Sequence, residues 1–196
     1  MRKVVLNKII NSYIEESKKA LDTFLEIDKL SILNASKLIV KAFKSGNKVL
    51  MCGNGGSASD AQHFAAELIG RFKRNRSSFA AISLNTDTSA LTAIANDYDF
   101  TNVFSRQVEG LGKKGDILLA ISTSGNSKNI IKAAIQAKKQ KLHIISLTGF
   151  NTSVLEKNSD LCIKVPSKVT SHIQELHIIV VHLLCTLIEK QFFAKR

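Results

Sequence analysis

The part of the sequence richest in residues that could do chemistry is CGNGGSASDAQHFAAEL, at positions 52–68. It begins with a glycine-rich loop and ends with His63 and Glu67, which are four positions apart. On a helix, that spacing turns both side chains to the same side, and both residue types can bind zinc or transfer protons. Exposed His–Glu pairs are also common on ordinary helix surfaces, so the pair alone does not establish a site.

A second polar segment, TSGNS at positions 123–127, follows an apolar run and precedes a helical pattern. Backbone N–H groups at a helix N-terminus are unpaired and attract anions. Four hydroxyl side chains surround Gly125, which would let the backbone approach a ligand: Ser122, Thr123, Ser124 and Ser127. One hydroxyl would suffice for a simple helix cap, so the segment favours a phosphate-binding cradle.

The earlier loop GNGGS, positions 53–57, is a weaker signal. A tight turn between a strand and a helix requires one glycine, whereas three favour the close approach of a ligand. The chain contains neither a GxxxxGK[ST] nor a GxGxxG motif, so the two nucleotide-binding loops that these motifs mark are not indicated.

The last apolar stretch, SHIQELHIIVVHLLCTLIE at 171–189, places His182 among aliphatic residues. Such a histidine is either a satisfied core residue or a functional group, and taken alone the core interpretation is favoured. Gln174 lies eight residues earlier, about 12 Å along a straight helix. The two side chains can bind one metal only if both extend toward it, if the helix is distorted, or if the two come from different subunits.

Alternating helical and apolar patterns indicate the elements that position these residues. Two helices are predicted first, over 4–27 and 31–45, then strands and helices in turn. The predicted strands are 48–52, 79–84, 116–122, 142–148 and 160–165, and the later helices are 59–73, 86–95, 101–111, 128–140 and 170–192. Apolar strands separated by helices predict an α/β fold with a parallel sheet, in which ligands bind beyond the carboxyl ends of the strands.

The composition bounds the function class. The net charge of +12 comes from scattered Lys and Arg with few aromatics between them, which favours a basic surface for anionic substrates over a nucleic-acid groove. No uninterrupted apolar run approaches the roughly 20 residues of a membrane span, and the N-terminus lacks the pattern of a signal peptide. Three widely spaced cysteines, Cys52, Cys162 and Cys185, predict free thiols in the cytoplasm.

Taken together, the motifs closely resemble the phosphoheptose isomerases, which are sugar isomerase (SIS) domain enzymes. The resemblance covers nearly the whole chain and is carried by CGNGGSASDAQHFAAEL, AIANDYDF (93–100), VFSRQVEGLGKKGD (103–116), ISTSGNS (121–127) and IQELHIIVVH (173–182). It implies a flavodoxin-like five-stranded parallel sheet flanked by helices, in one SIS domain over 1–196 with an N-terminal helical extension over about 1–45. It also implies a homotetramer with active sites between subunits.

The resemblance implies the conversion of sedoheptulose 7-phosphate to D-glycero-D-manno-heptose 7-phosphate, the first step toward the heptose of lipopolysaccharide or capsule. Catalysis would fall to Glu67 and His182, and one zinc ion per subunit to His63, Glu67, Gln174 and His182. The implied substrate-binding residues are Asn54, Gly55, Gly56, Glu67, Asn96, Asp97, Ser122, Thr123, Ser124, Ser127 and Gln174. One departure from the family is His172, where arginine is frequent.

Two other classes of SIS protein are alternatives. A non-catalytic tetramer that serves as a scaffold for the bacterial replication initiator would not need Glu67, Gln174 and His182 together, so their joint presence favours the enzyme. A transcriptional regulator would need a helix-turn-helix domain, for which the first 45 residues leave no obvious room.

For the enzyme, isomerisation through an enediol needs a base that moves a proton between C1 and C2 and a partner acid/base at the oxygens. We assign these roles to Glu67 and His182. A carboxylate bound to zinc is a weaker base, so whether Glu67 holds both roles at once stays open.

Overall fold

The computed structural model of the chain describes residues 2–27 and 29–194. Five strands form one parallel sheet in the order β2-β1-β3-β4-β5, which is the flavodoxin-like order. They are β1 (Val49–Cys52), β2 (Ala81–Ser83), β3 (Ile117–Ser122), β4 (His143–Thr148) and β5 (Leu161–Lys164). The predicted fold class is therefore confirmed.

Eight helices accompany the sheet within the described residues, with a single 3₁₀ turn at Phe100–Asn102. The first two, in the predicted N-terminal extension, are α1 (Arg2–Ile27) and α2 (Lys29–Lys44). The others are α3 (Gly56–Ile69), α4 (Thr88–Asp97), α5 (Val103–Leu111), α6 (Lys128–Lys139), α7 (Val154–Lys157) and α8 (Thr170–Phe192). The organisation into one domain stays a prediction.

The sheet is buried on both faces because alternate residues of each strand point to opposite helix layers. Val49, Met51 and Leu119 pack with α2, α3 and α8, whereas Leu50 and Leu118 pack with α5 and α6. This two-sided burial explains why the strands read as continuous apolar runs rather than as alternating patterns.

The direction in which successive strands are added to the sheet reverses between the neighbouring strands β1 and β3. It leaves β1 for the edge strand β2 and then crosses back to β3 on the other side of β1. The loops after β1 and β3 therefore diverge and leave a crevice at the carboxyl edge, where open sheets bind ligands. Both polar segments singled out in the sequence, 53–57 and 123–127, lie there.

Helix α3 differs from its predicted range of 59–73, because it begins at Gly56 and ends at Ile69. The helix ends directly before Gly70, its C-cap residue. Beyond it, the N–H groups of Phe72, Lys73 and Arg74 donate to the Glu189 carboxylate of α8 instead of continuing the helix. Strand β2 is also shorter than predicted, since it pairs with β1 over only three residues. The single turn α7 was not predicted; a capping box between Ser153 and Glu156 closes it.

Helix α8 is the one helix among the described residues that is long and apolar enough to cross a membrane by length and composition. Half of its most apolar window is buried inside the protein. Val180, Leu184 and Ile188 are fully buried in the core layer formed with α2 and α3, as expected for a core helix.

Candidate active site

The β3–α6 loop forms the predicted cradle. The hydroxyls of Ser122 and Ser127 lie 3.1 Å apart, and Ser127 is the N-cap residue of α6 without making a side-chain capping bond. Ser127 therefore does not fill the simple capping role considered for these hydroxyls. The Ile130 N–H already donates to Asn129 Oδ1 at 3.0 Å, which leaves the N–H groups of Lys128 and Asn129 to face an anion. Thr123 is half-buried and Ser124 is exposed at the mouth of the loop.

Gly125 also has a packing role in this loop, while its predicted role in the approach of a ligand stays a prediction. Its φ is +63°, and a Cβ at this position would lie 2.2 Å from Ser153 Oγ. Ser153 belongs to the segment after β4, so the glycine allows that segment to pack under the cradle. Leu155 N–H donates to the Gly125 carbonyl at 3.0 Å and fixes the contact.

Two asparagines hold the β1–α3 loop from opposite sides, and neither was predicted. Asn129 of α6 exchanges two amide hydrogen bonds of 2.9 Å with Asn54. Asn85, after β2, accepts from Gly53 N–H at 3.2 Å and donates to its carbonyl at 2.8 Å. The Asn54–Asn129 pair joins the β1–α3 loop to the helix that follows the cradle, and Asn85 ties the same loop to the end of β2. An asparagine near a helix start or turn is too ordinary a sequence signal to reveal these contacts.

Gln174 of α8 lies against Gly56, the first residue of α3. A Cβ at Gly56 would lie 2.6 to 2.8 Å from the amide atoms of Gln174, so only glycine leaves room for that side chain. Gly55 precedes it at φ +55°, a conformation that favours glycine. The glycines of this loop therefore make space for a side chain from α8 as well as for a turn.

The imidazoles of His63 and His182 meet where α3 and α8 run side by side. Their Nε2 atoms are 3.1 Å apart, and His63 Nε2 is 3.3 Å from Glu67 Oε1. The Phe72 ring stacks on His182 with centroids 5.8 Å apart. Both histidines are exposed, so the core interpretation of His182 is wrong; the core histidine of α8 is His177, which is fully buried.

His63, Glu67 and His182 are all residue types that bind zinc, and His63 Nε2 lies close to a donor atom of each of the other two. Zinc bound tetrahedrally at about 2.0–2.2 Å holds its donor atoms about 3.3 Å apart, close to the two separations above. Gln174 instead contacts Gly56, seven residues before His63 on α3. In the part of the chain that the structure describes, no three His, Cys, Asp or Glu side chains form a group ready to hold an ion. The full zinc set therefore stays a prediction.

Asp60 is a further acidic group beside this cluster that the sequence reasoning missed. Its side chain is largely buried, and its Oδ2 atom has no hydrogen-bond partner. Burial raises the pKa of Asp60 to about 6, although the neighbouring His63 acts to lower it. A carboxyl that is hard to ionise next to an imidazole pair can receive or release a proton near neutral pH.

Two more histidines of α8 are buried, with different partners. His177 Nε2 lies 3.3 Å from the Thr148 carbonyl, and desolvation lowers the pKa of His177 to about 4, so the ring is neutral. His172, where the family pattern often has arginine, contacts Ser17 of α1 and Glu175. The departure noted in the sequence thus forms a contact between α1 and α8 of the same chain.

The predicted sugar-binding pair Asn96 and Asp97 lies on the exposed last turn of α4. Asn96 Nδ2 donates to Asp97 Oδ1 at 2.9 Å. In the described residues, no hydrogen bond connects this pair to the cradle or to His63, so the structure does not bring it into the cluster within one chain.

A cavity of about 180 Å³ opens beside the cradle, between the ends of β3, β4 and β5. Thr123, Ser124 and Lys168 are among its lining residues. A larger concavity of about 550 Å³ lies at the opposite, amino edge of the sheet and includes Phe43 and Phe79. We assign the site to the carboxyl edge, because it holds both the hydroxyl cradle and the glycine loop.

Comparisons with known proteins agree with this geometry. A SIS domain family model matches residues 12–149. The chain is 49% identical over 191 residues to a phosphoheptose isomerase of Helicobacter pylori strain P12, covering 97% of both chains. It superposes on the phosphoheptose isomerase of Neisseria gonorrhoeae with a TM-score of 0.90 and 42% identity, covering 94% of this chain and 99% of that one. For the enzyme of Francisella tularensis, the TM-score is 0.91 at 39% identity, with coverage of 93% and 97%.

The identity and the superposition extend over nearly the whole length of both partners. The chain therefore belongs to the phosphoheptose isomerase family of SIS-domain proteins.

Proposed function

We propose that the chain is an aldose–ketose isomerase that converts sedoheptulose 7-phosphate to D-glycero-D-manno-heptose 7-phosphate. In the cell this would be the first step of ADP- or GDP-heptose synthesis for lipopolysaccharide or capsule. The observation that carries the proposal is the meeting of His63, Glu67 and His182 on helices that begin at the edge holding the hydroxyl cradle. The scaffold alternative has no comparable support, since the relatives described above are named as isomerases.

In the proposed reaction, the cradle binds the phosphate and so positions the sugar chain. Ser122, Thr123, Ser124 and Ser127 contribute hydroxyls, together with the N–H groups that open α6. Glu67 removes a proton from the carbon next to the carbonyl and returns it to the neighbouring carbon. His182 exchanges the proton of the oxygen, and its ring is oriented by Phe72 and His63.

We propose further that His63, Glu67, Gln174 and His182 hold one zinc ion per subunit. Zinc would act as a Lewis acid toward the oxygen on which negative charge develops. The separations of His63 from His182 and from Glu67 support this assignment, whereas Gln174 would have to reach the ion from its present place against Gly56.

A homotetramer with active sites between subunits is also proposed. Helix α1 exposes a long apolar row, and such a surface marks a protein interface. The row consists of Val4, Val5, Leu6, Ile9, Ile10, Tyr13 and Ile14. The exposed His63–His182 pair would then face a neighbouring subunit, and light scattering would give about four times the chain mass of 21.5 kDa.

With its free cysteines, the enzyme would work in the cytoplasm.

The test is incubation with sedoheptulose 7-phosphate in deuterated water, followed by proton NMR. A new aldose anomeric signal, with deuterium incorporated at C2, would establish isomerisation through an enediol. Loss of that product with a chelator and its return with zinc would support the metal set, whereas an aldose that survives chelation would demote zinc to an accessory. No aldose from a folded tetramer would refute the isomerase and favour the scaffold.

A further inference from the structure

An ion pair between Arg76 and Glu189 is buried where α3 ends against α8. Arg76 Nε donates to Glu189 Oε1 at 3.0 Å, and the two side chains are only 1% and 4% exposed. Burying two charges is costly unless their remaining polar atoms are also satisfied. Here nearly all of them have partners, and those partners belong to the segments that carry the proposed catalytic residues.

The Glu189 carboxylate holds the turn that follows α3. It accepts hydrogen bonds from Phe72 N–H at 3.4 Å and from Lys73 and Arg74 N–H at 3.1 Å each. Phe72 is the residue whose ring stacks on His182. The carboxylate therefore fixes the backbone of a residue that orients one imidazole.

The Arg76 guanidinium holds the last turn of α3. It donates to the carbonyls of Glu67 and Leu68 at 2.9 Å each and to the Ser77 carbonyl at 3.1 Å. The last carbonyls of a helix have no partner within the helix and carry partial negative charge, so a guanidinium there is doubly favourable. One of them belongs to Glu67, the proposed base.

Helices α3 and α8 run in the same direction, and the contacts of Arg76 and Glu189 are the last of several between them. Gly56 lies against Gln174, His63 against His182, and the end of α3 is joined through Arg76 to Glu189. The last of the three is the charged connection, and it joins the segment after α3 to the last turns of α8, beyond the imidazole pair.

We propose that Arg76 and Glu189 form a clamp that positions Glu67, His63 and His182 for proton transfer. Both are positioning residues, and the inference rests on the proposed isomerase function. The clamp predicts a specific kinetic defect, because the phosphate cradle is held separately by the Ser122–Ser127 contact and the Asn54–Asn129 pair. Loosening the clamp lowers kcat and leaves the KM for the sugar phosphate nearly unchanged.

The experiment uses the full chain with three substitutions. Arg76→Gln removes the charge and the fork of donors. Arg76→Lys keeps a positive charge beside Glu189 and protects the fold, but a single ammonium cannot reach Glu189 and the two α3 carbonyls together. The matched control is Arg74→Gln, an exposed arginine of the same turn whose guanidinium lies over Phe193.

Kinetics with sedoheptulose 7-phosphate are compared with backbone amide exchange of the substrate-free protein. We expect kcat to fall roughly 10- to 100-fold in Arg76→Gln and at least several-fold in Arg76→Lys, with KM within about threefold, since a misplacement near 1 Å has effects of this size. Amides of 66–74 exchange faster in both variants, whereas those of α6 do not. Arg74→Gln matches the wild type in both measurements.

Wild-type kcat in a folded Arg76 variant, or a loss of activity that only follows a general loss of folded protein, would overturn the clamp. If Arg76→Gln does not fold, Arg76→Lys decides by the same criteria. If the wild type does not isomerise the heptose phosphate, the proposed function fails on its own account. In that case amide exchange in the Arg76 variants still tests the clamp. Faster exchange confined to 66–74 would support it, and unchanged exchange there would refute it.

Discussion

Replacement of Gly56 by alanine tests whether the position of Gln174 matters for function. The new Cβ would lie 2.6 Å from the nearest Gln174 atom, whereas ordinary contacts begin at 3.4 Å. Gln174 must therefore retreat by roughly 0.8 Å or adopt another rotamer. Because the contacted atoms are the end of a flexible side chain, the backbone need not move.

We expect Gly56→Ala to lower the activity while it changes the stability little. In a helix interior alanine is favoured over glycine by up to about 1 kcal/mol; at Gly56, the first residue of α3, a smaller gain partly offsets the cost of moving one side chain. We expect the free energy of unfolding to change by less than about 1 kcal/mol. A displacement near 1 Å at a reacting group can cost roughly 100-fold, or about 2.7 kcal/mol of transition-state stabilisation, so kcat/KM should fall between 10- and 100-fold.

The assay is the formation of aldose followed by NMR, together with urea unfolding. Gly110→Ala is the matched control, since Gly110 is exposed on α5 and a Cβ there would meet nothing within 4 Å. That control should keep full activity and gain up to about 1 kcal/mol in stability.

Full activity of Gly56→Ala with an unchanged fold would refute the reasoning, since Gln174 would then have no role at its present place. Unfolding of the variant would also contradict it, because the loop would be too rigid for the side chain to yield.

Three further predictions follow. Glu67→Gln should lower kcat by about 10²- to 10⁴-fold with little change in KM, and full turnover would disprove Glu67 as the base. Ser127→Ala should raise KM for the sugar phosphate about 10-fold or more while kcat changes little, because a hydrogen bond to a charged group is lost; inorganic phosphate as a competitive inhibitor should weaken in parallel. Asp60→Asn should stabilise the protein above pH 6: the folded-state pKa of Asp60 is raised to about 6 from an ordinary 3.8, so the wild type loses stability as pH rises through that window. In urea unfolding, the advantage of the variant should shrink toward pH 4, and an advantage independent of pH would contradict a buried ionisable carboxyl.

The sheet could be predicted from the sequence because each strand is a local apolar run. Five such runs were placed within two residues of the observed strands. The boundaries that differ depend on distant partners. The turn that replaces the predicted last residues of α3, for example, is held by Glu189, which lies more than one hundred positions later in the chain.

The residues of the candidate site likewise fall into those that the sequence reveals and those that only the fold brings together. The hydroxyl cradle and the glycine loop could be located from the sequence, because each is a contiguous segment between a strand and a helix. Whether His63 and Glu67 are an ordinary surface pair could not be decided locally, since the answer depends on His182 meeting them across two helices. The partners Asn85, Asn129 and Arg76 were missed because only the fold brings them to the loops and helix ends that they hold.

The fold class and the residue types at the carboxyl edge follow from the sequence, because strand burial, glycine turns and helix caps are local properties of the chain. The tertiary structure alone decided which histidine of α8 is buried and which meets α3, since both lie in the same apolar run. His177 and His182 are five positions apart, so they face different sides of one helix, and only the packing of α8 shows which side is the core.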